Sequence, residues 1–339
     1  MSDLLSELLS TRDYLLADGA TGTNFFAMGL ESGDAPDIWN INHPERVTAL
    51  HSGFVEAGSD IILTNTFGAN TYRLKLHGDQ DRVAEINEAG ARIAREVADK
   101  AGRPVVVAGS MGPTGEIYQP VGELSIEQGQ AAFAEQAKAL ADGGVDVLWI
   151  ETISGVEEIS AAVAGASEAG LPVVATMTFD TAGRTMMGIT PQHALEHAHG
   201  LDTRLVAFGA NCGVGPGGLV DTVLGLKHGA TTDDILIAKG NCGIPEYKDG
   251  EIVYSGSLEI MAQYARLARE AGARIIGGCC GTTPAHVRAM ADALKDYVPG
   301  GTPERHEIEQ ALGPVAAPMP GAPEAEGRKT RRGNKRRRT

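Results

Sequence analysis

The chain has 339 residues, 42% of them hydrophobic and 22% charged, which is the balance of an ordinary soluble globular protein. No run of 18 apolar residues occurs, so the sequence predicts no membrane-spanning helix. The N-terminus carries acids among its leucines and lacks the basic start of a secretory signal, and we therefore expect a cytoplasmic location.

Charge is distributed unevenly along the chain, whose net charge is −15. The segment 328–339 holds eight Lys or Arg and no acid, so the body of the protein is more acidic than the total suggests. Such a body repels the phosphates of nucleic acid, which argues against nucleic acid as a partner.

Short runs rich in Val, Ile and Leu recur along the chain, separated by longer stretches with helical periodicity. The runs do not alternate apolar with polar residues, which is typical of parallel strands covered on both faces. Eight strands that alternate with helices predict an α/β fold, a (β/α)8 TIM barrel over residues 1–298, with an open doubly wound sheet as the alternative. The predicted strands are 14–17, 60–64, 105–109, 145–150, 172–177, 204–209, 235–239 and 274–278. The clearest helices between them are 81–101, 126–142 and 257–271.

The composition changes near Pro299. Residues 299–339 are rich in Pro and Ala and end in the basic run, and segment 313–327 contains almost nothing to bury. We expect them to form a disordered basic C-terminal tail outside the barrel, most clearly from about residue 313.

Polar, glycine-rich segments follow six of the predicted strands directly. In an α/β barrel the loops after the strands meet on one rim, where the active site lies. The convergence of six such segments therefore predicts a ligand site on that rim. The segments are 18–23 (DGATGT), 64–70 (TNTFGAN), 109–116 (GSMGPTGE), 151–152 (ET), 211–213 (NCG) and 279–281 (CCG).

The cysteines carry the most specific chemistry. They are Cys212, Cys242, Cys279 and Cys280. In a reducing compartment such a small set indicates metal binding or catalysis more often than disulfides. A closed barrel places predicted strands 6 and 8 on one rim, so that Cys212 meets the Cys279–Cys280 pair and three thiolates form a zinc site with one open position, as in a catalytic zinc. Ordinary buried cysteines, or a vicinal disulfide within the pair, are the alternatives.

An open, thiolate-rich zinc suits one kind of reaction in particular. A free thiol is only slightly ionised at neutral pH, and coordination to a metal deprotonates it. Three anionic sulfur ligands make the metal electron-rich, which keeps a bound sulfur nucleophilic. Sulfur alkylation therefore fits the site better than hydrolysis.

These motifs resemble those of the homocysteine S-methyltransferase family over about residues 10–297. The family includes betaine–homocysteine methyltransferase, S-methylmethionine-dependent enzymes and the homocysteine module of cobalamin-dependent methionine synthase. The most specific matches are GANCG at 209–213 and GGCCGTTPAHV at 277–287. The resemblance implies a methyltransferase that forms methionine on one zinc ion.

The resemblance also implies roles for individual residues. The zinc ligands would be Cys212, Cys279 and Cys280, with the sulfur of homocysteine as the fourth ligand. Asp18 and Glu151 would hold the substrate ammonium. The residues that help to seat the substrate would be Gly19, Thr66, Ser110 and Met111, with free N–H groups of loop 109–116 facing the substrate carboxylate.

The sequence identifies the methyl donor less specifically than it identifies the methyl acceptor. Betaine enzymes place aromatic residues after the strand-2 Thr-Phe and after the strand-4 Glu, where this chain has 68–70 (GAN) and Thr152. The segment from residue 64 is closer to the methionine synthase module, which predicts methylcobalamin carried by a separate corrinoid protein. Betaine stays open because Trp39, Tyr72 and Tyr118 could form a different cage for a quaternary ammonium. A sulfonium donor is the third possibility.

Two functions of other classes also fit the sequence. One is a non-catalytic subunit that binds zinc and presents homocysteine to a corrinoid assembly. The other is a redox protein that uses Cys279 and Cys280 as a dithiol. Cys242 departs from the family pattern, in which a small apolar residue follows the strand-7 Asn, and a small buried residue is favoured there over a spare metal ligand.

Overall fold

The computed structural model describes residues 3–248 and 251–315. Eight parallel strands form the main sheet, and a short antiparallel hairpin lies beside it. The strands are β1 (Leu15–Leu16), β2 (Ile61–Leu63), β3 (Val106–Met111), β4 (Val147–Ile153), β5 (Val173–Met177), β6 (Ala207–Cys212), β7 (Leu236–Gly240), β8 (Pro245–Lys248), β9 (Glu251–Tyr254) and β10 (Ala273–Gly278).

The parallel sheet runs in the order β1-β10-β7-β6-β5-β4-β3-β2. A parallel bridge between Ala17 and Ile61 joins β1 to β2 and closes the ring. The eight predicted strands and the TIM-barrel fold are therefore confirmed. The sequence did not predict the hairpin of β8 and β9, which extends the connection after β7.

Helices surround the barrel and make most of the connections between its strands. They are α1 (Leu4–Thr11), α2 (Gly22–Ala27), α3 (Trp39–Asn42), α4 (Pro44–Ala57), α5 (Thr71–Lys75), α6 (Val83–Asp99), α7 (Ile126–Asp142), α8 (Val156–Ser167), α9 (Pro191–His199), α10 (Pro216–Lys227), α11 (Leu258–Ala271), α12 (Pro284–Leu294) and α13 (Arg305–Leu312). In the part of the chain that the structure describes, no helix combines the length and the hydropathy needed to cross a membrane.

The core has two layers because successive side chains of a strand point to opposite faces. In β3, Val106 and Ala108 fill the barrel interior, and Val107 packs outward against the helices. Leucines of α1, including Leu5 and Leu8, pack against this interior cluster. The barrel is thus a filled core, and open space is found beyond the ends of the strands.

Order continues past the predicted domain boundary at residue 298. Helix α13 lies within the segment expected to be a disordered tail, yet it packs against α10 and α11. Ile308, Leu312 and Val315 are buried in the outer core layer. One apolar face on this short helix is enough for docking, although the surrounding composition is poor in apolar residues. The rest of the predicted tail, 316–339, lies outside the described residues.

The docking of α13 gives a stability prediction. Replacing Ile308, whose side chain is fully buried, by Ala should lower the free energy of unfolding by about 2–4 kcal/mol, since a cavity replaces packed methylene groups. The matched control is Gln310→Ala on the exposed face of the same helix, and denaturant unfolding compares the two. If both variants unfold with the same free energy, the packing of α13 against the barrel does not contribute to stability.

Candidate functional site

Three cysteines converge on the carboxyl-terminal rim of the barrel, as the sequence predicts. Cys212 is the last residue of β6, and Cys279 and Cys280 directly follow β10. The sulfur of Cys212 lies 3.1 Å from that of Cys279 and 3.8 Å from that of Cys280. All three are free thiols, partly shielded from solvent, with their sulfur atoms within 4.8 Å of one another.

A network around Asn211 holds the backbone of this cluster in an unusual conformation. Cys212 and Thr152 have φ angles of 60° and 67°, a region that residues with a β-carbon rarely occupy. The Oδ1 atom of the Asn211 side chain accepts hydrogen bonds from Thr152 N at 2.9 Å and Thr176 Oγ1 at 2.8 Å. Its Nδ2 donates to Thr152 Oγ1 at 2.7 Å and points toward the Cys279 sulfur at 3.8 Å. The strained backbone is thus fixed by buried hydrogen bonds.

Asn241 links the two loops that carry the thiols. Its Nδ2 donates to the Gly213 carbonyl at 2.8 Å, and its Oδ1 accepts from Cys280 N at 3.0 Å. One buried side chain therefore joins the loop after β6 to the loop after β10. The neighbouring Cys242 lies apart from the cluster and is 1% exposed, with its thiol directed to the Gly256 carbonyl at 3.2 Å.

The three thiols share protons within the cluster. Hydrogen bonds from Cys212 and Cys279 lower the pKa of the Cys280 thiol. The pKa of Cys212 is raised by its hydrogen bonds to the other two thiols. Hydrogen bonds within the cluster thus stabilise one thiolate among the three sulfur atoms.

The cluster fits a divalent metal. Zinc–thiolate bonds of about 2.3 Å in tetrahedral geometry place sulfur atoms about 3.8 Å apart. The Cys212–Cys280 separation of 3.8 Å matches this value, and the 3.1 Å between Cys212 and Cys279 requires only a small side-chain rotation. Among the described residues, these three are the one group of His, Cys, Asp and Glu side chains close enough to hold an ion.

A cavity of about 480 Å³ opens directly over the thiols. Buried side chains form one part of its wall, and two exposed aromatic side chains stand where it meets solvent. The buried lining residues include Thr66, Ser110, Glu151 and Lys239. The lining also includes Gly19, Phe26, Asp37, Phe67, Arg73 and His77.

Four of the six predicted substrate residues line this cavity, namely Gly19, Thr66, Ser110 and Glu151. Met111 is fully buried in the core and Asp18 is 1% exposed, and neither lines the cavity. The hydroxyl of Thr66 donates a hydrogen bond of 2.7 Å to the Ser110 carbonyl, which holds the loop after β2 against β3.

The backbone N–H groups expected to face the substrate carboxylate are largely occupied. Ser110 N donates to Thr64 Oγ1 at 3.0 Å, and Gly112 N donates to the Phe67 carbonyl at 3.0 Å. Thr114 N donates to the carboxylate of Glu158 at 2.9 Å. These amides stabilise the loop after β3, which leaves them unable to act as the carboxylate site in this conformation.

A buried lysine that the sequence analysis did not single out lies among the predicted residues. Lys239, in β7, is 2% exposed and its Nζ donates to Asp18 Oδ1 at 2.7 Å. Burial lowers its pKa, but the negative charges of Asp18 and Glu151 outweigh this and raise it above the usual value. A lysine at the end of an otherwise apolar strand was the signal that could have identified it, because a buried charge requires a partner.

Glu151 is a cavity-lining carboxylate whose charge acts on the thiols of Cys279 and Cys280. It is a buried residue of β4, and its Oε1 accepts a hydrogen bond of 2.5 Å from the Ser110 hydroxyl. Burial raises the pKa of Glu151 to about 7, while the nearby positive charge of Lys239 acts to lower it. A cationic group entering the cavity would therefore favour its ionised form.

The aromatic residues proposed for a donor cage lie elsewhere. Trp39 is buried against Phe25, and Tyr118 packs with Tyr72 in a separate cluster. Two other aromatic side chains, Phe26 and Phe67, line the cavity instead and are 52% and 38% exposed. Phe26 lies in α2, whose placement over the rim could not be judged from the sequence.

Comparisons with known proteins identify one family and several relatives. The family model described as homocysteine S-methyltransferase matches residues 15–294. The chain is 32% identical over 309 residues to the methionine synthase of Mycobacterium tuberculosis, and 32% identical over 324 residues to that of Mycobacterium leprae. These alignments cover 86% and 90% of this chain but 25% and 26% of those proteins, so the chain spans about a quarter of the length of these relatives.

Solved structures of one homocysteine methyltransferase match this chain along nearly their whole length. The metallated form of the homocysteine methyltransferase MmuM from Escherichia coli aligns with a TM-score of 0.72 at 27% identity, covering 86% of this chain and 99% of that one. The apo form of the same protein aligns with a TM-score of 0.67 at 25% identity.

The position of Asn241 predicts an effect on metal affinity without loss of a ligand. Asn241→Ala should raise the dissociation constant of a bound metal about 10–100-fold, because the loops carrying Cys212 and Cys280 lose their common hydrogen-bonding partner. Competition with a chromogenic chelator measures this constant. Cys242→Ala, at the next position, is the matched control and should keep the wild-type affinity. Wild-type affinity in Asn241→Ala would contradict the role of this side chain.

Proposed function

The chain belongs to the homocysteine S-methyltransferase family, and we propose that it is a zinc enzyme that moves a methyl group from a small cationic donor to the sulfur of homocysteine. The product is methionine. The observation that carries this proposal is the cluster of three thiols within 4.8 Å at the base of a cavity that aromatic and charged side chains line.

The donor set supports zinc as the metal. Soft thiolate ligands select zinc over magnesium or calcium, and three protein ligands leave a fourth position for a substrate. When bound, zinc would keep the thiol of homocysteine deprotonated at neutral pH while its sulfur stays nucleophilic. A free thiol has a pKa of about 8.5, so without such help only a few per cent of it is ionised.

Buried groups of the cavity supply recognition of the amino acid. Glu151 offers a carboxylate to the ammonium group of homocysteine, and the Ser110 hydroxyl holds that carboxylate in place. By orienting homocysteine, these groups would hold its sulfur in position to react with the methyl donor. The sulfur–methyl bond forms as the bond between the methyl group and its donor breaks, and the electron pair of that bond stays on the donor.

The outer wall of the cavity supports a betaine-like donor. Phe26 and Phe67 present aromatic rings, which attract a quaternary ammonium or sulfonium through cation–π interactions. Asp37 adds a carboxylate whose pKa is raised by burial to about 6, so that it is mainly ionised at pH 7.5. Arg73 lines the same wall and offers a guanidinium to the carboxylate of a zwitterionic donor.

A second donor class is supported by the surface around the cavity. Exposed apolar side chains lie in the segments that follow β1, β2, β3, β5 and β7, which share one face of the barrel. This apolar rim consists of Phe26, Met28, Phe67, Leu76, Ile117, Val121, Met186, Met187 and Ile244. Exposed apolar surface of this kind marks protein docking sites. The rim therefore favours methylcobalamin on a separate corrinoid protein as the alternative donor, in which case the chain either catalyses the transfer or only presents homocysteine.

Metal content tests the zinc part of the proposal. Substituting Ala for Cys212, Cys279 or Cys280 should reduce bound zinc from about one per chain to a small fraction and abolish methionine formation, since two thiolates hold zinc weakly. Cys242→Ala should retain the zinc. Elemental analysis of protein purified under reducing conditions measures both. Wild-type protein without zinc, with thiols that cycle between reduced and oxidised forms, would favour the dithiol redox function.

Parallel assays identify the donor. Zinc-loaded protein with homocysteine is given betaine, S-methylmethionine or free methylcobalamin, and methionine is quantified. We expect turnover with betaine, and Phe67→Leu should raise the KM for betaine by about 5–30-fold through loss of roughly 1–2 kcal/mol of cation–π attraction.

Met186→Ala is the control for this assay, because Met186 lies on the rim but does not line the cavity. Its KM for betaine should match that of the wild type. Turnover with methylcobalamin and none with either small cation would overturn the betaine proposal in favour of the corrinoid partner.

A further inference from the structure

The hairpin of β8 and β9 brings a tyrosine to the thiol cluster. Tyr254 is the last residue of β9, and its side chain packs directly against the backbone of Gly281, the residue after Cys280. A β-carbon at Gly281 would lie 2.4 Å from both Cβ and Cγ of Tyr254, and Gly281 has a φ angle of 77°. Only glycine therefore lets the ring approach the loop after β10 so closely.

Hydrogen bonds hold the end of the hairpin in this place. Gly256 N donates to the Cys242 carbonyl at 3.0 Å, and Cys242 N donates to the Cys280 carbonyl at 2.9 Å. On the other side, His286 Nε2 donates to the Gly256 carbonyl at 3.3 Å. The segment that follows Tyr254 is thus joined to the backbone of Cys280 through one intervening residue, which fixes the position of the ring relative to that thiol.

The phenol group of Tyr254 acts on one sulfur atom of the cluster. Its hydroxyl donates a hydrogen bond to the sulfur of Cys280. A hydrogen bond to an ionised acceptor is charge-assisted, and such partners of metal ligands both orient them and draw charge from them. Because a thiolate becomes less nucleophilic as it becomes less basic, this bond makes Cys280 less reactive toward an alkylating molecule.

The three protein thiols need such protection because they face the same space as a methyl donor. Cys212, Cys279 and Cys280 all line the cavity. Methylation of one of them would leave a neutral thioether, which lacks the negative charge with which a thiolate holds a metal. Asn211 directs its Nδ2 toward the sulfur of Cys279 at 3.8 Å, so that Cys279 and Cys280 each have a donor group aimed at them.

We propose that Tyr254 is a positioning residue that directs the methyl group to the substrate sulfur by suppressing methylation of Cys280. The inference rests on the proposed function and adds the means by which that site distinguishes its own thiolates from the thiolate of the substrate. In the suppressed side reaction, a lone pair of the Cys280 sulfur forms a bond to the methyl carbon. The bond from that carbon to its leaving group breaks, and the leaving group departs with the electron pair.

The test measures methylation of each cysteine of the zinc-loaded full chain by methyl iodide in the absence of homocysteine. Samples taken over time are digested, and tandem mass spectrometry gives a separate rate for each of the three thiols. In Y254F the rate at Cys280 should rise about threefold to tenfold, since the thiolate loses a charge-assisted hydrogen bond while the ring still packs on the loop. The rates at Cys212 and Cys279 should change less than about twofold.

The matched control is Y72F, which removes one phenol hydroxyl from a cluster apart from the thiols. All three of its rates should equal those of the wild type. Circular dichroism establishes that each variant is folded, and elemental analysis establishes that each holds zinc.

Three results would overturn the inference. They are an unchanged rate at Cys280 in Y254F, an equal rise at all three thiols, and loss of zinc by Y254F but not by Y72F. The third result would mean that the hydroxyl holds the cluster together and does not tune one sulfur. Each leaves the proposed function intact if the wild-type chain holds zinc and forms methionine, whereas a wild-type chain without zinc would remove the proposed function as well.

Discussion

The crowding of three thiols at the end of the barrel is the constraint on which the site depends. Thiolates within 4.8 Å of one another repel strongly unless a cation or shared protons balance them. The protein places Cys212 at the end of one strand in a strained conformation and Cys279 and Cys280 at the end of another. Asn211 and Asn241 then fix both segments through buried hydrogen bonds. The resulting arrangement is prepared for a divalent metal and leaves one side open to the cavity.

The charged side chains near the cavity also have to balance the negative charge of the three thiolates. A metal held by three thiolates keeps a net negative charge, and Asp18 and Glu151 add two more carboxylates nearby. Lys239 offsets part of this charge from within the barrel wall, where its pair with Asp18 is almost fully shielded from water. The lining of the cavity therefore combines the three thiols with the buried Lys239 and the Glu151 carboxylate. Apolar layers below exclude water from the barrel interior.

The fold and the thiol cluster could be predicted because their signals are local in the sequence. Unbroken apolar runs located all eight strands, and polar residues at the ends of those runs located the rim. The GGCCGT segment after a distant NC located the three sulfur atoms. A strand-end position fixes where a residue lies, so Gly19, Ser110 and Glu151 were also found to line the cavity.

Other features depend on which side chains meet across the barrel. The sequence does not reveal that Lys239 pairs with Asp18, because residues 221 positions apart form that ion pair. Phe26 lines the cavity only because a short helix turns it over the rim. Helix α13 was not predicted because the Pro and Ala content of its segment suggested disorder. Ile308 and Leu312 nevertheless have the spacing of a buried helical face.

In the proposed enzyme, Cys212, Cys279 and Cys280 would hold a zinc ion, and the sulfur of homocysteine would take the remaining position. X-ray absorption at the zinc edge, recorded on purified protein before and after addition of homocysteine, measures the number of sulfur ligands directly. We expect three sulfur ligands and one lighter atom before addition, and four sulfur ligands at about 2.3 Å afterwards. Fewer than three sulfur ligands in the purified protein, or an unchanged spectrum when homocysteine is bound, would contradict it.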